Sequence, residues 1–404
     1  MVDMMTYRVP LAHYSFGSEE IAAAERVLRS GFLTQGKETQ KFEEQLARAH
    51  GCAHAVFVNS GSSANLIAIE AAIYLSQLKP GALHGPMKAG DEVIIQGLNW
   101  PSTITPILNR GLKPVFCDVN PQTLNADVAT VDAVRTERTR MVIAVPVLGN
   151  PGGLEELRAY CEKNRLVLLE DACESLGATT EAGRPVGTVG LAAALSFYFS
   201  HHISTIEGGA ILTDDADLAD LCVSLRSHGW TRQMKNTHDF FDLPDTIDQR
   251  FCFVLPGYNV RPTDLNAVIG QVQLAKLPEL VKTRRRLAMG RIAAVEAQSN
   301  LIFFPGGDVG DRHSWMMQPM LFPDAAHRNR ARQILEDASI ETRPIIVGNI
   351  LRQPLVKMFD LKDQPALPVC DSIFEKGLMI GIDPASDDAT EAHVHHTLQQ
   401  AARA

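Results

Sequence analysis

The sequence predicts an α/β protein: a large, mostly parallel sheet domain over residues 1–260 and a small α+β C-terminal domain over residues 261–404. Three observations predict it. Short apolar stretches recur along the first half, with room for a helix between most of them. Helical periodicity fills those intervals, and strands alternating with helices give a parallel sheet buried on both faces. A segment rich in Pro, Asp and aromatic residues, Asn236–Leu265, then separates this half from a tail of different pattern. At 404 residues the chain is also too long for one ordinary core.

The elements follow in order. EEIAAAERVLRS (Glu19–Ser30) has a helical period, and KFEEQLARAHG (Lys41–Gly51) ends on a glycine that suits a helix stop. HAVFVNS, DEVIIQG, KPVFCDV, MVIAVPV, LVLLEDA and AAALSFYF are the candidate strands, with ANLIAIEAAIYLSQL as a strong helix after the first. GGAILTDDADLADLCVSLRSHG reads as a strand and then a helix. The segment Asn236–Leu265 reads as a long loop, and loops of that length tend to be functional. Beyond it come a helix (LNAVIGQVQLAKL), a second long helix, and the α+β tail. The basic run KTRRR (Lys282–Arg286) is read as a solvated helix face.

Composition narrows the function classes. Hydrophobic residues make up 45% of the chain and charged residues 21%, as in globular proteins. The net charge is −9 and no long basic stretch occurs, which argues against a nucleic-acid partner. No apolar run approaches the ~20 residues that cross a bilayer, and the N-terminal stretch lacks the pattern of a targeting segment. The seven cysteines show no CxxC or CxC spacing, so reduced thiols, a cytoplasmic location and no iron–sulfur cluster are expected. The tail HVHH (His393, His395, His396) lies on a last polar helix without companion ligands, and no metal site is expected there.

In open parallel sheets, ligands bind beyond the carboxyl ends of the strands, so the residues just after each strand matter most. In VNSGSSANL a strand gives way to a Gly–Ser turn and a long helix, whose first N–H groups suit a phosphate; a serine-rich N-cap with no ligand fits the same letters. In QGLNWPSTIT, Trp100 offers either a flat surface for a ring or a core side chain. In LVLLEDACESLGA, Asp171 is placed to pair with a protonated ring nitrogen or to cap a helix, and Glu174 follows three residues on. SFYFSHHISTIEGGAILTDD brings Ser196, His201 and His202 to a further strand end, where the histidines are either ordinary loop residues or a base. Together a phosphate cradle, a ring stacker and a carboxylate for a pyridine nitrogen describe a pyridoxal phosphate pocket.

With SGFLTQG, NSGSSAN, EDACES, EGGAILTDD and GYNVRP in that order, the whole chain resembles the DegT/DnrJ/EryC1/StrS sugar aminotransferases, of the aspartate aminotransferase-like fold type I. The resemblance implies that Gly61 and Ser62 donate backbone N–H groups to the cofactor phosphate and Ser196 a hydroxyl. It implies that Trp100 stacks on the ring, that Asp171 pairs with the ring nitrogen, and that Glu174 lies beside the ring hydroxyl, where most members carry Gln. Asn259 would reach the phosphate of a neighbouring subunit, which implies a homodimer with shared active sites. Phe32, Thr34, His228, Phe251 and Arg343 stand where the family contacts substrate.

One residue departs from the pattern. Transaminating members carry a lysine six residues before the Glu of EGG, and here that residue is His201. Imidazole cannot hold the cofactor aldehyde covalently but acts as a base near neutral pH. The resemblance is therefore to the histidine-containing sugar 3-dehydratases of the family. It implies noncovalent pyridoxal or pyridoxamine 5'-phosphate, L-glutamate as amino donor, and a nucleotide-linked 4-keto-6-deoxy sugar, the GDP-mannose form, losing its 3-hydroxyl. A sugar aminotransferase that tolerates the histidine, and a non-catalytic sugar-nucleotide-binding regulator, are the alternatives; release of ammonia separates all three.

Overall fold

The computed structural model describes residues 7–12, 16–297, 301–359, 361 and 363–403; residues 1–6 and 13–15 of the stretch read for a targeting segment lie outside these. Ten strands are described: β1 (His54–Val58), β2 (Glu92–Gln96), β3 (Lys113–Cys117), β4 (Thr139–Ala144), β5 (Val167–Asp171), β6 (Ala192–Ser196), β7 (Gly209–Thr213), β8 (Met317–Leu321), β9 (Thr342–Arg343) and β10 (Gly377–Gly381). The helices are α1 (Ser18–Ser30), α2 (Lys37–His50), α3 (Gly61–Leu78), α4 (Pro101–Asn109), α5 (Val128–Asp132), α6 (Leu154–Lys163), α7 (Ala216–Arg226), α8 (Asp264–Glu296), α9 (Ala325–Asp337), α10 (Leu355–Met358), α11 (Pro368–Lys376) and α12 (Asp388–Ala401).

Seven strands form one sheet in the order β1-β7-β6-β5-β4-β2-β3, and the other three form a second sheet, β8-β10-β9. Helical crossovers make the β2–β3, β2–β4 and β4–β5 pairs parallel, and the β5–β6 pair is parallel across a connection, 172–191, that carries no helix. The shorter connection 197–208 brings the chain straight back, and β7 runs antiparallel between β6 and β1. The carboxyl ends of β1, β2, β5 and β6 therefore share one edge of the sheet. Alternation sends Val93 and Ile95 to one face, with Ile67 and Phe116, and Ile94 to the other, with Phe42, Leu168 and Leu212. A third core, with Trp315, Met320, Leu378 and Ile380, lies under the small sheet.

Helix ends follow local chemistry. Gly31 and Gly51 close α1 and α2 in the left-handed region, at φ 73° and 65°. Ser60 caps α3 by accepting from the Ser63 N–H, and Thr263 caps α8 by accepting from the Asn266 N–H.

Two expectations are corrected. The two helices anticipated after residue 264 are one helix of 33 residues, which runs through Pro278. An interior proline costs about 3 kcal/mol, and packing on both sides of it outweighs that: α8 lies against α1 and α2 at one end and α12 at the other. The run KTRRR is also not simply a solvated face. Arg284 is buried and donates through Nη1 to the carbonyls of Met316 and Ile382, each at 2.8 Å, while Arg285 donates to His313 and Gly177. Helical spacing turned these two inward while Lys282 and Arg286 stayed exposed.

Candidate active site

Gly61 opens α3 directly behind the end of β1. A side chain there would have no room, because its Cβ would lie 2.5 Å from the Cβ and 2.8 Å from the Oγ of Ser196, and 3.0 Å from Cys173 Sγ. The helix N-terminus, Ser196 at the end of β6 and the turn after β5 thus meet at one point. Gly209 permits the same approach from β7, since a Cβ there would lie 2.3 Å from the Ser60 carbonyl oxygen. Ser62 is exposed in the first turn of α3.

Trp100 is 57% exposed, so it is not a core side chain. It starts α4, with its N–H donating to Asn99 Oδ1 at 2.7 Å. Asn99 is buried and its Nδ2 has no partner. Asp171 ends β5 and caps no helix. Its Oδ2 accepts from Asn65 Nδ2 at 2.8 Å and from Thr103 Oγ1 at 2.5 Å. Its Oδ1 takes the Cys173 N–H at 3.4 Å, and the Cys173 thiol also lies within reach of the carboxylate.

His201 turns back over this carboxylate, with Nδ1 2.6 Å from the Cys173 carbonyl oxygen. A carbonyl only accepts, so Nδ1 carries the hydrogen and Nε2 presents a lone pair. Burial pulls the His201 pKa below its ordinary value; the Cys173 carbonyl and the Asp171 charge pull the other way. Glu174 accepts the Leu148 N–H at 2.9 Å. Burial pushes its pKa up to about 7 against that hydrogen bond, and the charge of Asp171 adds to the rise. His202 is buried, with Nε2 3.2 Å from the Ser314 carbonyl. Burial and then the Arg284 guanidinium hold it well below its usual value, so it is a neutral structural imidazole.

All but one of the remaining candidates gather at the rim. Phe32 and Thr34 line a groove of about 370 Å³ together with Ser227, Trp230 and Arg261. Phe251 stacks on Trp230, with ring centroids 5.8 Å apart. His228 and Asn259 lie on two chain segments joined there: Ser227 bridges Asn259, and the His228 N–H donates to Tyr258 at 2.7 Å. The Asn59 N–H donates to the Val260 carbonyl at 3.0 Å and so ties this rim to the start of the cradle. Asn259 is exposed and takes the Arg261 Nε–H at 3.0 Å. Arg343 belongs to neither group. It lies on β9, exposed, paired with Glu341 at 2.8 Å.

The pocket also contains residues the sequence reading did not single out: Asn65, Asn99, Thr103, and the backbone of Leu148 and Cys173. Two were within reach of helical spacing. Asn65 is four residues beyond Gly61 on α3, and Thr103 three beyond Trp100 on α4, so each shares a face with a residue already picked.

These residues fit pyridoxal phosphate. The glycine cradle leaves space for a phosphate at a helix N-terminus, Trp100 exposes a flat face, and Asp171 keeps one oxygen almost free. Fold and pocket together are those of the α/β fold type I class, to which pyridoxal-phosphate-dependent transferases belong. The chain belongs to the DegT/DnrJ/EryC1/StrS aminotransferase family, whose model matches residues 15–399. It is 34% identical over 377 residues to a GDP-4-keto-6-deoxy-D-mannose 3-dehydratase of Yersinia pseudotuberculosis, covering 92% of this chain and 93% of the relative. Among solved structures it superposes, with TM-score 0.88 and 32% identity over 96% of this chain and 100% of the other, on a mutant GDP-4-keto-6-deoxymannose-3-dehydratase with bound GDP-perosamine. A second structure of such a dehydratase, with a trapped PLP-glutamate geminal diamine, matches at TM-score 0.88 and 31% identity over 96% of this chain and 100% of that one.

Proposed function

We propose that this chain is a 3-dehydratase dependent on pyridoxal and pyridoxamine 5'-phosphate. Its substrate is a 4-keto-6-deoxy nucleotide sugar, GDP-4-keto-6-deoxy-D-mannose, and L-glutamate is its amino donor. The observation that carries the reading is His201, an imidazole with Nε2 free at the strand end where transaminating relatives place a lysine. The similar dehydratase, and the similar structures with GDP-perosamine and with glutamate, support the sugar, its carrier and the donor.

When bound, the cofactor supplies the amine that joins the sugar ketone and the electron sink for elimination. The residues do the rest. Gly61, Ser62 and Ser196 would hold the phosphate. Trp100 would cover one face of the ring. Asp171 would hold a proton on the ring nitrogen. Glu174, poised near neutrality, would share a proton with the ring hydroxyl. His201 Nε2 takes the proton whose removal drives the 3-hydroxyl out, and the protonated imidazole returns a proton to that leaving oxygen. For each C3–O bond replaced by C–H, one glutamate is oxidised to 2-oxoglutarate and one ammonia is released, so the electrons balance. A lysine at position 201 would recapture the cofactor and complete amino transfer, whereas a histidine cannot.

Phe32, Thr34, His228, Phe251 and Arg343 are assigned to the substrate side, and Asn259 to the cofactor phosphate of a second copy. The exposure of Phe251 and Phe253 beside the rim groove, 61% and 54%, supports a homodimer with shared sites. The division into domains at 260/261 separates the seven-stranded sheet from the three-stranded one. No helix among the described residues is long and apolar enough to cross a membrane. The free state of all seven cysteines supports a cytoplasmic protein.

The test is to incubate the protein with pyridoxal phosphate, L-glutamate and GDP-4-keto-6-deoxymannose, and to measure ammonia and 2-oxoglutarate. Equal amounts of both, dependent on the sugar, are expected. A sugar that gains an amine without free ammonia would make the protein an aminotransferase.

A further inference from the structure

We infer that Thr103 and Asn65 are positioning residues that aim Asp171: both hydrogen bonds fall on Oδ2, and Oδ1 is thereby left to the ring nitrogen. The inference rests on the reading of Asp171 above and extends it to two side chains from different helices.

The geometry is asymmetric. Oδ2 has two side-chain donors, at 2.8 and 2.5 Å, whereas Oδ1 takes the Cys173 N–H at 3.4 Å, and the Cys173 thiol is a further side chain within reach of the carboxylate. The Thr103 hydroxyl has one hydrogen and two acceptors in reach, Asp171 Oδ2 and, at 3.2 Å, Asn99 Oδ1. The charged, nearer acceptor takes it. Asn99 Oδ1 is already satisfied by the Trp100 N–H, so Asn99 holds the start of α4 while Thr103 holds the carboxylate. Asn65, Asn99, Thr103 and Asp171 are all buried, so no water competes for these bonds. Asn65 rides on the helix that begins with the glycine cradle, and Thr103 on the helix that begins at the ring stacker. One carboxylate thus fixes the phosphate helix, the ring helix and the strand end in register. Rotation about the Asp171 side chain would break both bonds at once, so the carboxylate is locked with one edge outward.

The experiment loads the protein with pyridoxal phosphate labelled at the ring nitrogen and reads the nitrogen-15 chemical shift. Cofactor affinity and Tm are measured alongside, in wild type, Thr103→Val, Thr103→Ser, Asn65→Leu and Asp171→Asn. The expected result is a protonated nitrogen in wild type and a shift toward the unprotonated value in Thr103→Val and Asn65→Leu. The glutamate half-reaction should slow by about 10- to 100-fold in these two. Thr103→Ser keeps the hydroxyl and should restore the wild-type shift. A wild-type nitrogen shift in both Thr103→Val and Asn65→Leu, with only Tm lowered, would show the two bonds to be merely structural and overturn the inference. A wild-type shift in Asp171→Asn would overturn the underlying reading of Asp171 as well, and that outcome is separate from the first.

Discussion

The imidazole of His201 is fixed by a backbone atom: its Nδ1 lies 2.6 Å from the carbonyl oxygen of Cys173, two residues beyond Asp171. This contact sets the tautomer and spends the ring's only hydrogen away from the reacting side. Replacing His201 with Asn removes the base at Nε2. Ammonia release should fall by about 10²- to 10⁴-fold, the usual worth of a general base, while cofactor affinity stays within a few-fold. His201→Lys should bind the cofactor covalently, seen as a new absorbance band resistant to dialysis. Unchanged ammonia release in His201→Asn would remove His201 from the mechanism.

The pH profile should have its acid limb below the ordinary histidine value. The His201 pKa is lowered, so the ring is neutral and able to accept a proton from the mid-6 range upward, and loses that ability as pH falls through the depressed value. The rate of the sugar step with preformed pyridoxamine phosphate, measured from pH 5 to 8, should be flat above about 6.5 and decline below it. An acid limb well above that point would contradict the neutral-imidazole assignment.

Glu174 should titrate in the working range, since its pKa stands at about 7. Below that pH it is a neutral acid, and above it a carboxylate that repels Asp171; on the proposed reading it faces the ring hydroxyl. The absorbance of the bound cofactor should therefore change through neutral pH in wild type. Glu174→Gln, which cannot ionise, should abolish that transition. If the transition persists in the variant, it belongs to another group.

His202 couples stability to pH. Its folded-state pKa lies well below the unfolded value of about 6.5. Below that pH the unfolded chain takes a proton that the folded chain refuses, so stability present at pH 7.5 is lost as pH falls. For one such imidazole the loss between pH 7.5 and 5.5 is on the order of 1 kcal/mol. His202→Gln keeps a donor for the Ser314 carbonyl without the titration. Its denaturant-derived stability should fall less over that interval by about this amount, the other groups cancelling between the two proteins.

The cradle should tolerate no side chain at its first helical residue. In Gly61→Ala the new Cβ would meet Ser196 at 2.5 Å, and the displaced serine can no longer serve the phosphate. Overpacking of this kind costs about 1–3 kcal/mol, so pyridoxal phosphate affinity should drop by about 5- to 150-fold in a fluorescence titration. An affinity equal to wild type would move the phosphate away from Gly61.

Most of this candidate site was legible because open sheets place chemistry at strand ends, and strand ends are local features. VNSGSSAN, LNWP, LLEDA and SFYFSHH each announce a strand followed by an unusual residue. The exposure of Trp100 was not legible, since a tryptophan after a strand is as consistent with a core. Asn65 and Thr103 read as ordinary polar helix residues until α3 and α4 are brought to one carboxylate. The basic run at 282–286 misled because charge alone does not tell which face of a helix turns inward. The single helix through Pro278 was missed because the local rule for proline is overruled only by distant packing.

The sequence by itself determined the alternation of elements, the fold class and the histidine in place of a lysine, because these depend on periodicity and on residue identity. Only the tertiary structure decided which oxygen of Asp171 is free, which nitrogen of His201 holds its hydrogen, and that Glu174 stays near neutrality. Those properties depend on hydrogen bonds and burial contributed by residues far apart in the chain, and no local pattern encodes them.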